Sequence, residues 1–290
     1  MGERVRGNMN VADVMTSRED VVTVEIPGTR DDVLEYLQDR KFSSVPVVKQ
    51  TDEGEVYRGL VSRDALIERP DEDQLALLTE EVATTTTDMD LAAAAELMVR
   101  EGERRVPVVD DELVGIVTVT DIVRAIAGGE LDGEVAVGDL AQREINTVYE
   151  GTPLPVAERE VSYAGVPYAV VLGDEGGMIG MLTEVDILDE ARVVEGETGT
   201  GDSIADDDDD WKWESVKAVG NSYMPTRNVE IPTEPVSEFM TGEVVTVSKS
   251  RTARETAQLM IEHDIEQIPM VSGDELSGVV RDVDLLEGAT

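Results

Sequence analysis

Four apolar runs along the chain are each interrupted by a proline: Val45-Pro46-Val47-Val48, Val106-Pro107-Val108-Val109, Val166-Pro167-Tyr168-Ala169-Val170-Val171 and Ile268-Pro269-Met270-Val271. A short continuous apolar run bounded by polar residues reads as a buried strand. Each is followed by a glycine that opens a second apolar run: Gly59-Leu60-Val61-Ser62, Gly115-Ile116-Val117-Thr118, Gly180-Met181-Leu182-Thr183 and Gly278-Val279-Val280-Arg281. Together they predict four hairpins. Thr23, Thr84 and Thr246 each stand 23 residues before Pro46, Pro107 and Pro269, while Thr147 stands only 20 before Pro167. Between threonine and proline the apolar positions follow i, i+3, i+4, clearest in LAAAAELM (91–98) and TAQLMI (256–261), which predicts an amphipathic helix.

The chain is therefore one unit repeated four times, in the order strand, helix, strand, hairpin, strand, helix. This predicts an α/β (α+β) fold with repeats at 1–71, 72–128, 135–193 and 235–290. Proline-to-glycine spacings of 13, 8, 13 and 9 alternate, as if a two-repeat module had been duplicated. Repeats one and two then form one module, and three and four the other. A single repeat of about 55 residues buries too little apolar surface to be secure alone. Between modules lies the polar link 129–134. Residues 194–234 interrupt the second module with an acidic insertion holding Asp206 to Asp210 and both tryptophans, Trp211 and Trp213. The Asp run reads as solvated linker, and the tryptophans either cover their own module or form a partner-binding patch.

Composition narrows the function. With 64 acidic and 24 basic residues the formal charge is -40, a self-repulsion that salt must screen. Only five lysines are present (41, 49, 212, 217 and 249). The balance resembles that of proteins from high-salt cytoplasm, and its sign disfavours DNA. The 290 residues include no cysteine, which excludes disulfides, thiol catalysis and Cys-based metal sites. The N-terminal MGERVRGNMNV lacks an apolar signal core, and no run reaches the ~20 residues of a membrane span; a soluble cytoplasmic protein is expected. No nucleophile–base pair or phosphate-cradling glycine loop is present. The one histidine, His263, sits in a helical pattern beside Asp264 and reads as structural.

The second strands of repeats two and three end in Thr118-x-x-Asp121 and Thr183-x-x-Asp186. One reading is a helix cap, with the acid in the first turn favoured by the helix dipole. The other is a nucleoside site, where a carboxylate accepts both ribose hydroxyls and helix N–H groups receive phosphate. Arg104 and Arg105 are the one basic pair beside such a strand, and a guanidinium fork fits phosphate oxygens; ion pairing with carboxylates is the alternative.

The four units resemble CBS domains, the regulatory modules named after cystathionine β-synthase. That resemblance implies β-α-β-β-α units paired about pseudo-twofold axes, with clefts that take AMP, ADP, ATP or S-adenosylmethionine. It gives the ribose to Asp121, Asp186 and Asp284, with Thr118 and Thr183 on ribose or phosphate. Arg281 stands where the fourth repeat would carry its hydroxyl, either facing phosphate or filling the cleft. Ala65 replaces the acid of the first repeat, after Ser62, and Asp64 is one residue early. The same resemblance places Thr84, Val106, Pro107, Thr147, Val166, Pro167, Thr246 and Ile268 near adenine. It implies a non-enzymatic sensor of adenine nucleotides that signals to a protein partner, with a homodimer through module pairing as one arrangement. An S-adenosylmethionine binder and an interaction scaffold with vestigial clefts are the alternatives. An enzyme regulated by such domains, such as an IMP dehydrogenase, has no room here for a catalytic barrel.

Overall fold

A computed structural model of the chain describes residues 9–38, 44–52, 54–62, 65–66, 69, 72–190, 192–195 and 227–289. All four repeats follow the expected order in a mixed α/β fold. The second runs from a parallel bridge at Thr85 through the helix Leu91–Glu101 and the strands Arg105–Asp110 and Glu112–Thr118 to the helix Val119–Gly128. The third consists of Thr147–Tyr149, the helix Leu154–Ala164, the strands Tyr168–Leu172 and Met178–Thr183, and the helix Glu184–Glu190. The fourth has Val247–Ser248, the helix Ala253–His263, the strands Gln267–Ser272 and Glu275–Arg281, and the helix Asp282–Glu287. In the first, Val24–Glu25, the helix Arg30–Gln38 and the strands Ser44–Thr51 and Gly54–Ser62 lead to helical Ala65 and Leu66. Each first strand, or in repeat two the bridge at Thr85, lies parallel to the first strand of the hairpin, which pairs antiparallel with the next.

The glycine opening each second strand has a common cause. A Cβ at Gly59, Gly115, Gly180 or Gly278 would fall within 3 Å of a backbone oxygen, of Glu80, Thr16, Thr241 and Gln142 respectively. Those oxygens belong to the segment that leads into a different repeat. The lead of repeat one pairs with the second strand of repeat two, Thr16 with Ile116 and Ser17 with Gly115. The lead of repeat two returns the contact, Glu80 with Leu60. Likewise Gln142, ahead of repeat three, bridges Val279, and Thr241, ahead of repeat four, bridges Met181. Only glycine admits a neighbouring backbone so closely.

The register corrects the reading of the third repeat. Val24, Val247 and Val148 pair with Val47, Met270 and Val171, and Thr85 bridges Val108. The residue before Val171 is Val170, so Val170 takes the place of Pro46, Pro107 and Pro269. It stands 23 residues after Thr147, the same spacing as in the other repeats, so the first turn is not shortened. The long hairpin belongs to repeat one alone, whose strands have 8 and 9 residues, against 5 and 6 in repeat three. The alternation of hairpin lengths is therefore not present.

The chain forms two compact units: residues 1–145 with 244–290, and 146–243. In the first, the cores of repeats two and four merge. Leu91, Ala95, Met98, Ile122, Ala125 and Ile126 share one buried cluster with Ala253, Ala257, Met260, Leu285 and Leu286. Small alanines let the helices Val119–Gly128 and Ala253–His263 approach closely, and the amide of Gln258 donates to the carbonyl of Ala127 at 3.0 Å. Repeat one keeps a separate cluster of Val24, Val33, Val45, Val47, Val61, Leu66, Leu75 and Leu78. The second unit packs Leu154, Ala157, Val161, Ala169, Val171, Leu182 and Ile187 with Val236. Its strand Arg192–Glu195 pairs antiparallel with Arg227–Glu230, which brings the two ends of the acidic insertion together. Asp206 to Asp210, Trp211, Trp213 and Asp64 lie outside the described residues.

Candidate functional site

Thr118 and Asp121 form a complete helix cap. The backbone N–H and Oγ1 of Thr118 donate to Oδ2 of Asp121 at 2.9 and 2.7 Å, and the Asp121 N–H returns to Thr118 Oγ1 at 3.4 Å. Thr183 and Asp186 repeat this at 2.8, 2.7 and 3.3 Å. The two copies agree to within 0.1 Å, so the capping reading holds. Capping uses one carboxylate oxygen only, and a carboxylate offers about four lone-pair sites. Among the described residues nothing bonds Oδ1 of Asp186, while Oδ1 of Asp121 meets Arg124 at 3.1 Å. That Arg124 side chain is 62% exposed, so displacing it costs little. Asp121 also opens onto a recess of about 290 Å3 whose other walls are Met9, Val14, Arg124, Ala125 and Glu130.

The other two copies differ. Ser62 Oγ still caps, accepting from Ala65 N–H at 3.1 Å, but the buried methyl of Ala65 offers no acceptor. In repeat four Asp284 is 2% exposed and heavily bonded. Arg281 donates to it from its backbone N–H at 2.8 Å, from Nε at 3.2 and 3.1 Å and from Nη2 at 2.6 Å. Gln142 Nε2 adds a bond at 3.0 Å.

Arg104 turns its fork toward repeat four. Its Nη1 and Nη2 donate to the two oxygens of buried Asp282 at 3.0 and 2.6 Å, and Nη2 lies 3.0 Å from Glu266 Oε2. Burial works most strongly against the charge of Arg104, but its bond to Asp282 and the charges of Asp282 and Glu266 together outweigh it, so its pKa is raised. Arg105 pairs in register with Thr118 and draws the Glu266 carboxyl downward, against burial that pushes it up.

The residues expected around adenine differ in exposure. Val106 and Ile268 are fully buried in the shared core. Thr84, Thr147 and Thr246 are exposed, each just before a buried Thr85, Val148 or Val247. Pro107 lies within its strand, whereas Val166 and Pro167 precede theirs. The carbonyl of Pro167 accepts from Glu184 N–H as that of Arg104 accepts from Val119 N–H. Pro167 is thus the counterpart of Arg104, and the counterparts of Val106 and Pro107 are Ala169 and Val170. Met9 and Val14 had no signal in the pattern around Asp121, because they arrive from repeat one by segment exchange.

Among the described residues no group of three His, Asp or Glu side chains is placed to hold a metal, and no helix is long and apolar enough to cross a membrane. The CBS domain family model matches residues 11–72, 75–128, 137–192 and 236–289. Protein MJ1404 of Methanocaldococcus jannaschii is 27% identical over 286 residues, covering 98% of this chain. The chain spans 62% of the length of that relative. A crystal structure of a conserved protein from Pyrococcus horikoshii matches with a TM-score of 0.68 at 27% identity, over 97% of this chain and 100% of the other. That of protein MJ1225 from Methanocaldococcus jannaschii, described as a candidate archaeal homologue of g-AMPK, matches the fold with a TM-score of 0.66 at 18% identity, over 96% and 99%. Four matched repeats covering most of its length, each with the same order of strands and helices, make this chain a member of the CBS domain family.

Proposed function

We propose that this chain is a regulatory protein that binds adenosine-containing ligands at the Asp121 and Asp186 clefts and passes the change in packing to a protein partner. The carrying observation is the carboxylate inventory. Asp121 and Asp186 each spend Oδ2 on the helix cap and keep Oδ1 open or lightly held. A ribose offers two vicinal hydroxyls, and a charged acceptor sheltered from water gains roughly 1.5–3 kcal/mol from such a bond. Thr118 and Thr183 hold the carboxylates in one rotamer, so the acceptors are in place before a ligand arrives. Binding regulates only if affinity differs between two packings of the repeats. Repeats one and two, and three and four, are the pairs whose leads are exchanged, and they constitute the modules of this reading. In this role the chain catalyses no reaction.

AMP, ADP and ATP are the first candidates. A second reading, S-adenosylmethionine, draws support from Arg104. Its fork is committed to Asp282 and Glu266, which leaves less attraction for a polyphosphate and suits a ligand with a cationic sulfonium. Thermal melting in multi-molar KCl with each of the four compounds separates the readings. A ligand at ~100 times its dissociation constant stabilises the fold by about 2.7 kcal/mol. Asp121→Ala and Asp186→Ala should each remove part of that shift. If none of the four compounds moves the wild-type melting temperature, the sensor reading is overturned.

A further inference from the structure

Asp284 occupies the ribose-binding position of the fourth repeat, yet the chain fills it. Four N–H donors converge on its two oxygens, three from Arg281, whose Nε–H is shared between both oxygens, and one from Gln142. That number matches the roughly four lone-pair sites of a carboxylate. The guanidinium fork is bidentate, the strongest neutral-pH partner a carboxylate can find. At 2% exposure Asp284 has neither capacity nor access left for a ribose. Gln142 is not part of repeat four. It lies in the segment that leads into repeat three and exchanges both backbone bonds with Val279, at 2.8 and 3.0 Å. Arg143 beside it donates to the carbonyls of Ser277 and Gly138. The carboxylate therefore secures the stretch of chain just before the boundary between the two compact units at residue 145.

We propose that Arg281 and Gln142 are internal substitutes for the ligand of the fourth repeat, and that Asp284 has become a latch holding residues 140–143 to the strand Glu275–Arg281. This rests on the adenosine reading only in naming what the latch displaces. Two consequences follow from the geometry. The wild-type fourth cleft contributes nothing to ligand binding, and the crossing segment is ordered by a side-chain clasp in addition to its backbone bridge.

Calorimetric titration with AMP in multi-molar KCl, beside amide hydrogen exchange without ligand, tests both. The double variant Arg281→Thr with Gln142→Ala restores a repeat-two-like Thr-x-x-Asp and should bind one more AMP per chain than wild type. An unchanged stoichiometry, or loss of a wild-type binding event on Asp284→Asn, overturns the substitution. Opening the latch should speed exchange of the backbone amides at position 142 and at Val279 by about tenfold, since local opening sets protection, while protection of Ile122 and Met260 in the shared core stays unchanged and reports the fold. Unaltered exchange at those two amides overturns the latch. Should none of AMP, ADP, ATP and S-adenosylmethionine bind any form of the protein, the adenosine reading falls by itself, and the exchange result still decides the latch.

Discussion

Arg104 and Glu266 hold the same position in repeats two and four. Each accepts at its carbonyl from the first N–H of the following helix, Val119 and Asp282 respectively. Their side chains meet across the repeats, with Asp282 as third member. Burial pushes the Glu266 carboxyl up, Arg104 pulls it down, Asp282 pushes it up again, and Arg105 and Asp264 act more weakly in opposite directions. The net direction is up, so the folded state binds this proton more tightly than the unfolded chain. As pH rises from the ordinary glutamate range through the raised folded value, the unfolded state holds fewer protons and stability falls. Glu266→Gln removes that contribution. Its unfolding free energy should depend less on pH across this window than that of wild type, measured by urea titration at fixed KCl. Equal slopes would count against the assignment. In the sequence Arg104 was legible as an unusual cation in an acidic chain. Its partner was not, because Asp282 lies 178 residues away and no local pattern reports which helix faces which.

At the scale of the element, the repeat was legible almost in full, because strands, glycines and helices follow from short-range patterns. The exception was the third repeat, where Pro167 attracted the alignment although it precedes the strand. The better signal was the constant 23-residue interval, which selects Val170. Helix ends show the same regularity. The helices Leu91–Glu101, Leu154–Ala164 and Ala253–His263 each have 11 residues and stop at a left-handed residue: Gly102 (φ 72), Gly165 (φ 63) and Asp264 (φ 53). Glycine adopts that conformation without a Cβ penalty, whereas aspartate pays for it. Asp264→Gly should therefore stabilise the protein by about 1 kcal/mol. The mirror change Gly102→Asp should destabilise it by a similar amount, since nothing lies within 4 Å of a Cβ placed there and only backbone strain is added. Chemical denaturation of both variants checks the pair; a destabilised Asp264→Gly would show that the aspartate side chain outweighs the strain.

At the scale of the molecule, the exchange of leading segments explains why one repeat is insufficient. Each second strand has one edge without a neighbour until a different repeat supplies one, and the four close-approach glycines record that requirement in the sequence. The merging of repeats two and four into one core left no such mark, because it depends on helix faces brought together by the whole chain.

Charge acts at this scale too. A formal -40 spread over the chain meets scattered compensation among the described residues, such as Arg104 with Asp282 and Arg254 with Glu134. The remaining carboxylates repel one another over the Debye length, about 10 Å at 0.1 M salt and about 3 Å at 1 M. Unfolding separates these charges, so repulsion lowers the stability of the compact state most at low salt. The melting temperature should therefore climb steeply between 0.1 M and 1 M KCl, where the screening length shortens most. Beyond that it should climb further only through the salt's strengthening of apolar burial. NaCl at equal ionic strength should reproduce the first, steep part, because screening depends on charge and concentration. A flat profile with KCl would refute the high-salt reading of the composition. A rise with KCl that NaCl fails to match would point to bound potassium in place of screening.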